Sequence, residues 1–200
     1  MSKIPEKDIT LYHSILAKEL LQYTAVPEQD LQAFVSCFEF QEYKKKDIII
    51  APGNTDAFKI FFILKGITRI YYVLEDKEIT VSFKMENSVV YNGFTIFSGV
   101  PNIDNHEALE DLQVLAANID NLEPLLYKSH PLEHLARKIV EKNYSSFIRS
   151  NYNRMFLPAE ERYEYFMKTM PSIINRIPLK YVASYLGITP ETLSRLRAKH

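Results

Sequence analysis

Apolar residues recur at three- and four-residue spacings over 8–23 and 28–37. That is the stripe an amphipathic helix buries on one side, so the chain is predicted to open on two helices, the second entered through Pro27. From 38 to about 117 the period shortens to two or breaks into brief apolar runs: FEFQEYK, DIII, FKIFFIL, ITRIYYVLE, KEITVSFKM and LQVLAA. Turn signals (APGN, KG, EDK, SGVPN, LED) separate them at short intervals, which predicts an antiparallel sandwich or roll. After Asn118 the helical period returns, first in NIDNLEPLLYK and then over 131–156, a stretch without internal Pro or Gly.

The long stretch carries Leu132, Leu135, Ala136, Ile139, Val140, Phe147 and Ile148, with Tyr144 and Tyr152 alongside. A helix packed on one neighbour needs an apolar stripe about 100° wide. Adjacent pairs such as 135/136, 139/140 and 147/148 widen this one, implying two partners. We expect the chain's own roll on one face and a second copy on the other, with Leu132, Leu135, Ile139, Val140 and Phe147 on a dimer helix. Burial between two parts of one chain would give the same width.

Next comes LPAEERYEYFMKTMPSIINRIP, a further helix with Pro158 at its entry and Pro171 and Pro178 as breakers, and then KYVASYLGITPETLSRLRAKH. In this last segment residues 180–186 make a short helix and Gly187 supplies the positive backbone angle that ends it. Thr189 caps the next helix, with Pro190 at its first position. Two short helices joined so tightly cross steeply and need a small residue where they meet, which Ala183 provides. Ile188, Leu193 and Leu196 fill the wedge. This is the helix-turn-helix arrangement, whose second helix enters a DNA major groove; an ordinary helical hairpin with a basic surface is the alternative. Arg195 suits guanine O6 and N7, Glu191 suits cytosine N4, and Ser194 suits several bases. Lys180, Arg197 and Lys199 suit phosphates, and Thr189 and Thr192 complete the candidate DNA-binding set.

Charge sharpens this reading. The formal net charge is -1, but residues 171–200 hold five Lys or Arg (Arg176, Lys180, Arg195, Arg197, Lys199) against one acid, Glu191. The other 170 residues therefore net -5, and a basic module for a polyanion on an acidic body is expected. Cys37 is alone, so no intramolecular disulfide forms. No export signal and no run of about 18 apolar residues is present, so a soluble, cytoplasmic protein with no membrane partner is expected. Histidines do not converge on a metal site: His13 lies in the opening helix, His106 alone in the roll, His130 and His134 in HPLEH, and His200 at the terminus. HPLEH lacks the Glu after its first histidine that a metalloprotease uses, and no Gly-rich phosphate loop or Ser/His/Asp arrangement is evident. We expect no enzyme, no cofactor and no haem on His106.

The order of opening helices, β-roll, long helix and terminal helix-turn-helix resembles the Crp/Fnr family of bacterial transcription regulators over nearly the whole chain. The most specific match is KYVASYLGITPETLSRLRAKH, with APGN and IFFILKGITRIYYV resembling roll strands. The resemblance implies an α+β protein in three parts. They are a cyclic-nucleotide-binding-like antiparallel β-roll (a double-stranded β-helix or jelly roll) over 1–129, a dimerisation helix over 130–156, and a helix-turn-helix domain over 157–200. It implies double-stranded DNA as partner, a homodimer on an inverted-repeat operator, and RNA polymerase as a further partner. E-T-L-S-R matches the Glu, Ser and Arg of the fumarate-nitrate branch at Glu191, Ser194 and Arg195. Pro190 stands where the catabolite-activator branch has an arginine. The sequence stops after the reading helix, so a truncated wing is expected.

Nucleotide binders of that family carry Gly-Glu and, about ten residues later, Arg-Ser. The corresponding positions here are Tyr91-Asn92 and Asn102-Ile103, and all four differ. From 85 to 127 there is no Lys or Arg, while Glu86, Asp104, Glu107, Glu110, Asp111, Asp120 and Glu123 are acidic. A phosphate there would be uncompensated at a cost of about several kcal/mol, so no response to cyclic AMP or cyclic GMP is expected. Tyr91, Asn92, Phe94, Asn102 and Ile103 form the candidate pocket for an unknown effector, or, with Ile96 and Phe97, part of a filled core. A degenerate sensor acting as a protein-interaction module, and a β-roll metalloenzyme, are the other functional readings.

Overall fold

The computed structural model describes residues 6–54 and 58–199, which leaves His200 outside the described residues. Two helices, α1 (Glu6–Leu20) and α2 (Glu28–Val35), open the chain. Six strands follow: β1 (Glu39–Tyr43), β2 (Ile48–Ile50), β3 (Lys59–Lys65), β4 (Thr68–Leu74), β5 (Lys77–Lys84) and β6 (Val89–Tyr91). A short helix α3 (Gly93–Ser98) precedes β7 (Asn105–Ala108) and β8 (Leu112–Asn118). Helices α4 (Ile119–Lys128), α5 (His130–Phe156), α6 (Ala159–Thr169), α7 (Leu179–Leu186) and α8 (Pro190–Lys199) complete the described chain. The strands form two four-stranded sheets, ordered β1-β8-β3-β6 and β2-β7-β4-β5. The α+β class and the antiparallel roll flanked by helices are as the sequence pattern implies.

Strands β6 and β7 and helix α3 went unread in the sequence. The β7 residues, Asn105 to Ala108, include no β-branched or aromatic side chain. Pairing with β2, which sets Ile48 opposite Glu107 and Ile50 opposite His106, imposes the strand. Helix α3 is bounded by local chemistry inside what reads as a turn. The Asn92 side chain accepts from Thr95 N–H, and Gly99 closes the helix at φ 68°.

By packing, the chain divides into two compact units, one of residues up to 69 with 83–142, the other of 70–82 with 143–200. In the first, the run FKIFFIL is apolar throughout because β3 is covered on both faces. Phe61 and Ile63 join Ile49, Ile50, Val90, Leu112 and Val114 inside the roll. Phe62, between them, joins Leu115 and Ala117 of β8 in a second core beneath α1, α2, α4 and the start of α5. Period-two alternation thus sorts neighbouring residues into different cores. The roll interior is nearly full: a cavity of about 10 Å³, room for a water molecule, lies among Ile49, Phe61, Ile63, Thr68, Val90, His106, Leu112 and Val114.

Helix α5 divides its apolar residues between two sides. Leu132, Leu135 and Ile139, expected on a dimer helix whose one face packs on the chain's own roll, are buried in the chain's own core beside Phe62 and Leu122 and so are not available to a second copy. Their 3–4 spacing places them on one face, and the roll unit covers it. Val140 is half-buried. The exposed apolar residues of this helix lie further along: Tyr144, Phe147, Ile148, Tyr152, Met155 and Phe156.

The roll unit also buries charge. An Arg69 Nη2–H donates to Glu107 Oε2 at 2.6 Å, and the two residues are 1% and 8% exposed. Lys84 is half-buried. Burial first, and the like charge of Lys142 second, lower its amine from 10.5 to about 8. A folded-state amine below its unfolded value means that the unfolded chain binds the proton more tightly. The cost of burying charge is then fully present below about pH 8, and stability rises as pH climbs toward the unfolded value. Lys84→Met is therefore predicted to be more stable than wild type near pH 7, with a gap that narrows near pH 10. Urea unfolding at both pH values measures this; an equal gap would contradict it.

Candidate nucleic-acid interface

In the second unit, α6, a 3-10 turn at Ile173–Asn175, α7 and α8 share one apolar core. Tyr163, Phe166, Ile173, Ile174, Ile177, Val182, Leu186, Leu193 and Leu196 are all buried. The Phe166 and Tyr185 rings lie 5.7 Å apart, and the Tyr185 hydroxyl is 3.1 Å from the Ser150 hydroxyl of α5.

The joint between α7 and α8 follows from Ala183, Gly187, Ile188, Thr189, Leu193 and Leu196. Gly187 ends α7 in the left-handed region at φ 65°, a conformation that costs any residue with a Cβ more. The Ile188 N–H returns to the Ala183 carbonyl at 3.0 Å, so the chain turns within one residue. Thr189 Oγ1 accepts from Thr192 N–H at 3.2 Å and caps α8. Ala183 is 1% exposed, which is what a steep helix crossing demands. Leu193 and Leu196 are buried, whereas Ile188 is half-buried.

With those positions turned inward, the remaining α8 side chains form an outer face. Glu191, Ser194, Arg195, Arg197 and Lys199 are exposed, and Thr192 is half-buried. Its own backbone N–H, then the Thr189 hydroxyl, hold the Glu191 carboxyl below the usual carboxylate range. An Arg195 Nη2–H donates to Thr192 Oγ1 at 3.3 Å. Lys199 Nζ donates to Glu160 Oε1 at 3.3 Å, an exposed pair that yields readily to another anion. Lys180, exposed at the start of α7, rests its ammonium 4.8 Å from the Tyr181 ring centroid. The structure thus gathers seven of the eight candidate residues on α8 or its cap and places Lys180 on the preceding helix.

The candidate effector residues do not converge in the same way. Asn92 and Asn102 are buried, but their amide nitrogens are committed to the fold. Asn92 Nδ2 donates to Asp104 Oδ1 at 2.7 Å, and Asn102 Nδ2 donates to the Ala51 and Asp104 carbonyls at 2.9 and 3.0 Å. Phe94 and Ile103 are 56% and 63% exposed, and Phe97 is 66% exposed. These three neither line an enclosed pocket nor fill a core. Tyr91 is half-buried with its ring edge against Phe97. None of the five lines the small cavity inside the roll.

Among the described residues no group of three or more His, Cys, Asp or Glu side chains is placed to hold a metal. No described helix is long and apolar enough to cross a membrane. His130 faces Glu133 at 3.6 Å, and His134 Nδ1 lies 2.9 Å from Arg137 Nη2.

No protein-family model matches the sequence, and no curated protein matches it. Solved structures do resemble it. A CooA mutant from Carboxydothermus hydrogenoformans aligns at 20% identity over 90% of this chain and 82% of its own, with a TM-score of 0.65. CLP of Xanthomonas campestris, a c-di-GMP-responsive global regulator, aligns at 13% identity over 86% and 91%, with a TM-score of 0.67. FixK2 of Bradyrhizobium japonicum aligns at 21% identity over 81% and 83%, with a TM-score of 0.66. All three are Crp/Fnr-family regulators. The chain shares their fold. That fold includes the cyclic-nucleotide-binding-like roll which the sequence resemblance implies.

The hairpin of β4 and β5 turns at Glu75 and Asp76, with positive φ of 48° and 62°, where the signal EDK separates the runs ITRIYYVLE and KEITVSFKM. Its attachment to α7 has no such signal in the sequence. Thr80 N–H donates to Ser184 Oγ at 2.9 Å, and the Ser184 hydroxyl donates to the Glu78 carbonyl at 3.2 Å. One hydroxyl thereby satisfies alternate backbone groups on an edge strand. Nothing in VASYL marks that serine apart from its polarity among apolar neighbours. Ser184→Ala leaves the Thr80 N–H of a wholly buried residue without its acceptor, and we predict a loss of about 1 kcal/mol. Urea denaturation followed by circular dichroism measures it; unchanged stability would show that water replaces the hydroxyl.

Proposed function

We propose that this chain is a DNA-binding transcription regulator of Crp/Fnr type. The observation that carries the reading is the outer face of α8. Glu191, Ser194, Arg195, Arg197 and Lys199 are exposed over Leu193 and Leu196, which lock the helix onto Ala183 across the Gly187 turn. Charged groups on a rigid short helix suit a major groove, with Arg195 and Glu191 on base edges and Lys180, Arg197 and Lys199 on phosphates.

The protein works as a homodimer. The apolar stretch of α5 from Tyr144 to Phe156 supports this, because six large side chains exposed on one helix are the surface a second copy covers. Phe147 is the residue of the expected dimer set that belongs to this face. Two reading helices related by a two-fold axis address half-sites about 34–36 Å apart, so the operator is an inverted repeat. Functionally the chain is divided as the sequence suggests, into a sensor-like roll over 1–129, a dimer helix over 130–156 and a DNA-binding part over 157–200.

Cyclic AMP and cyclic GMP are not its effectors. Three features support this: the buried Asn92 and Asn102 amide N–H donors are engaged, Asp104 beside them is acidic, and Arg69 is paired to Glu107. A cyclic phosphate would have to break one of these contacts or go uncompensated.

Selection from random duplex DNA tests the reading. The expected product is an inverted repeat bound by wild type. Arg195→Ala should lose about 1–3 kcal/mol of discrimination at one G·C pair per half-site. No enriched sequence from wild type would overturn the regulator reading in favour of a protein-interaction module.

A further inference from the structure

Arg195, an α8 side chain assigned to a base edge, is linked in the free protein to two threonine hydroxyls. Thr189 Oγ1 and Thr192 Oγ1 lie 3.2 Å apart, and Arg195 Nη2 lies 3.3 Å from Thr192 Oγ1. Residues 189, 192 and 195 are spaced by three, so they run along one side of the first turns of α8.

Counting protons gives this chain a direction. Each threonine hydroxyl has one proton to donate and two lone pairs to accept with. The Thr189 hydroxyl donates its proton to Thr192 Oγ1, while its own oxygen accepts the Thr192 N–H. The second lone pair of Thr192 Oγ1 accepts an Arg195 N–H. A guanidinium has five N–H donors. One goes to Thr192, and the remaining four still include a pair able to meet guanine O6 and N7.

We propose that Thr192 is a positioning residue for base readout: its hydroxyl, oriented by Thr189, holds the Arg195 guanidinium ready for a guanine before DNA arrives. The inference rests on the DNA-reading function proposed above and assigns Thr192 a role within the protein rather than on a base. Arginine has many rotamers to lose on binding, so fixing them beforehand lowers the cost of the specific contact. Phosphate contacts made by Lys180, Arg197 and Lys199 do not pass through this chain. The effect therefore falls on specificity and spares non-specific affinity and its salt dependence.

The test uses full-length protein carrying Thr192→Val, which keeps the shape and removes the hydroxyl, and Thr192→Ser, which keeps the hydroxyl. Fluorescence anisotropy compares the selected duplex with one altered at the G·C pair that Arg195→Ala identifies. Thr192→Val is expected to lower that ratio by about tenfold with an unchanged salt slope, and Thr192→Ser to stay near wild type. A full ratio in Thr192→Val, or an equal loss in Thr192→Ser, overturns the proposal. A second measurement needs no DNA: ¹⁵N relaxation at Arg195 Nε should show a more mobile side chain in Thr192→Val alone. Unchanged mobility overturns the positioning role by itself. Absence of any sequence preference in wild type overturns the DNA-reading function instead, and the relaxation result still decides whether Thr192 holds Arg195.

Discussion

Everything proposed for this protein depends on how closely α8 is packed against α7. A reading helix needs its backbone held so that side-chain positions are reproducible, and ten residues do not hold a helix in water unaided. Here the support comes from a left-handed Gly187, a threonine cap and the burial of Leu193 and Leu196 beside Ala183. A bulkier residue at 183 would push the helices apart. A non-glycine residue at 187 would strain the turn. The charged face is therefore a consequence of the apolar one: only because every third or fourth residue is committed inward are Glu191, Ser194, Arg195 and Arg197 all turned outward.

A different economy governs the roll unit. Covering β3 and β8 on both faces yields two cores from one sheet, and little space is left inside, since the cavity there is about 10 Å³. The polar residues there are structural. Asn92 caps α3 and ties it to Asp104, Asn102 ties Asp104 to Ala51, and Arg69 neutralises Glu107. Removing one member of a buried ion pair costs about 3–5 kcal/mol, so Arg69 and Glu107 stand or fall together. The exposed Phe94, Phe97 and Ile103 nearby contribute to neither core.

Much of this was legible in the sequence, and the exceptions have physical reasons. Period-two runs located β1 to β5 and β8 because those strands bury alternating or continuous apolar residues. β7 was invisible because NHEA is strand only by virtue of its neighbours. The α7–α8 joint could be read residue by residue, since turn, cap and wedge are local and each has its own residue type. Helix α5 shows the limit of periodicity. The stripe is wide enough for two partners, but spacing alone cannot say which of its residues the chain's own roll covers, and these are Leu132, Leu135 and Ile139. Likewise Tyr91, Asn92, Phe94, Asn102 and Ile103 were adjacent in a motif, and only the backbone's path sends two of them inward and two to solvent. Contacts between distant segments, such as Ser184 with Thr80, leave no local trace at all.

The central claim is that the outer face of α8 is a DNA surface. Adding a duplex carrying the selected sequence to ¹⁵N-labelled protein and following backbone amide shifts tests it most directly. We predict that the largest changes fall on 179–181 and 189–199 and weaken as salt is raised. Changes concentrated elsewhere, with residues 189–199 unmoved, would contradict the account.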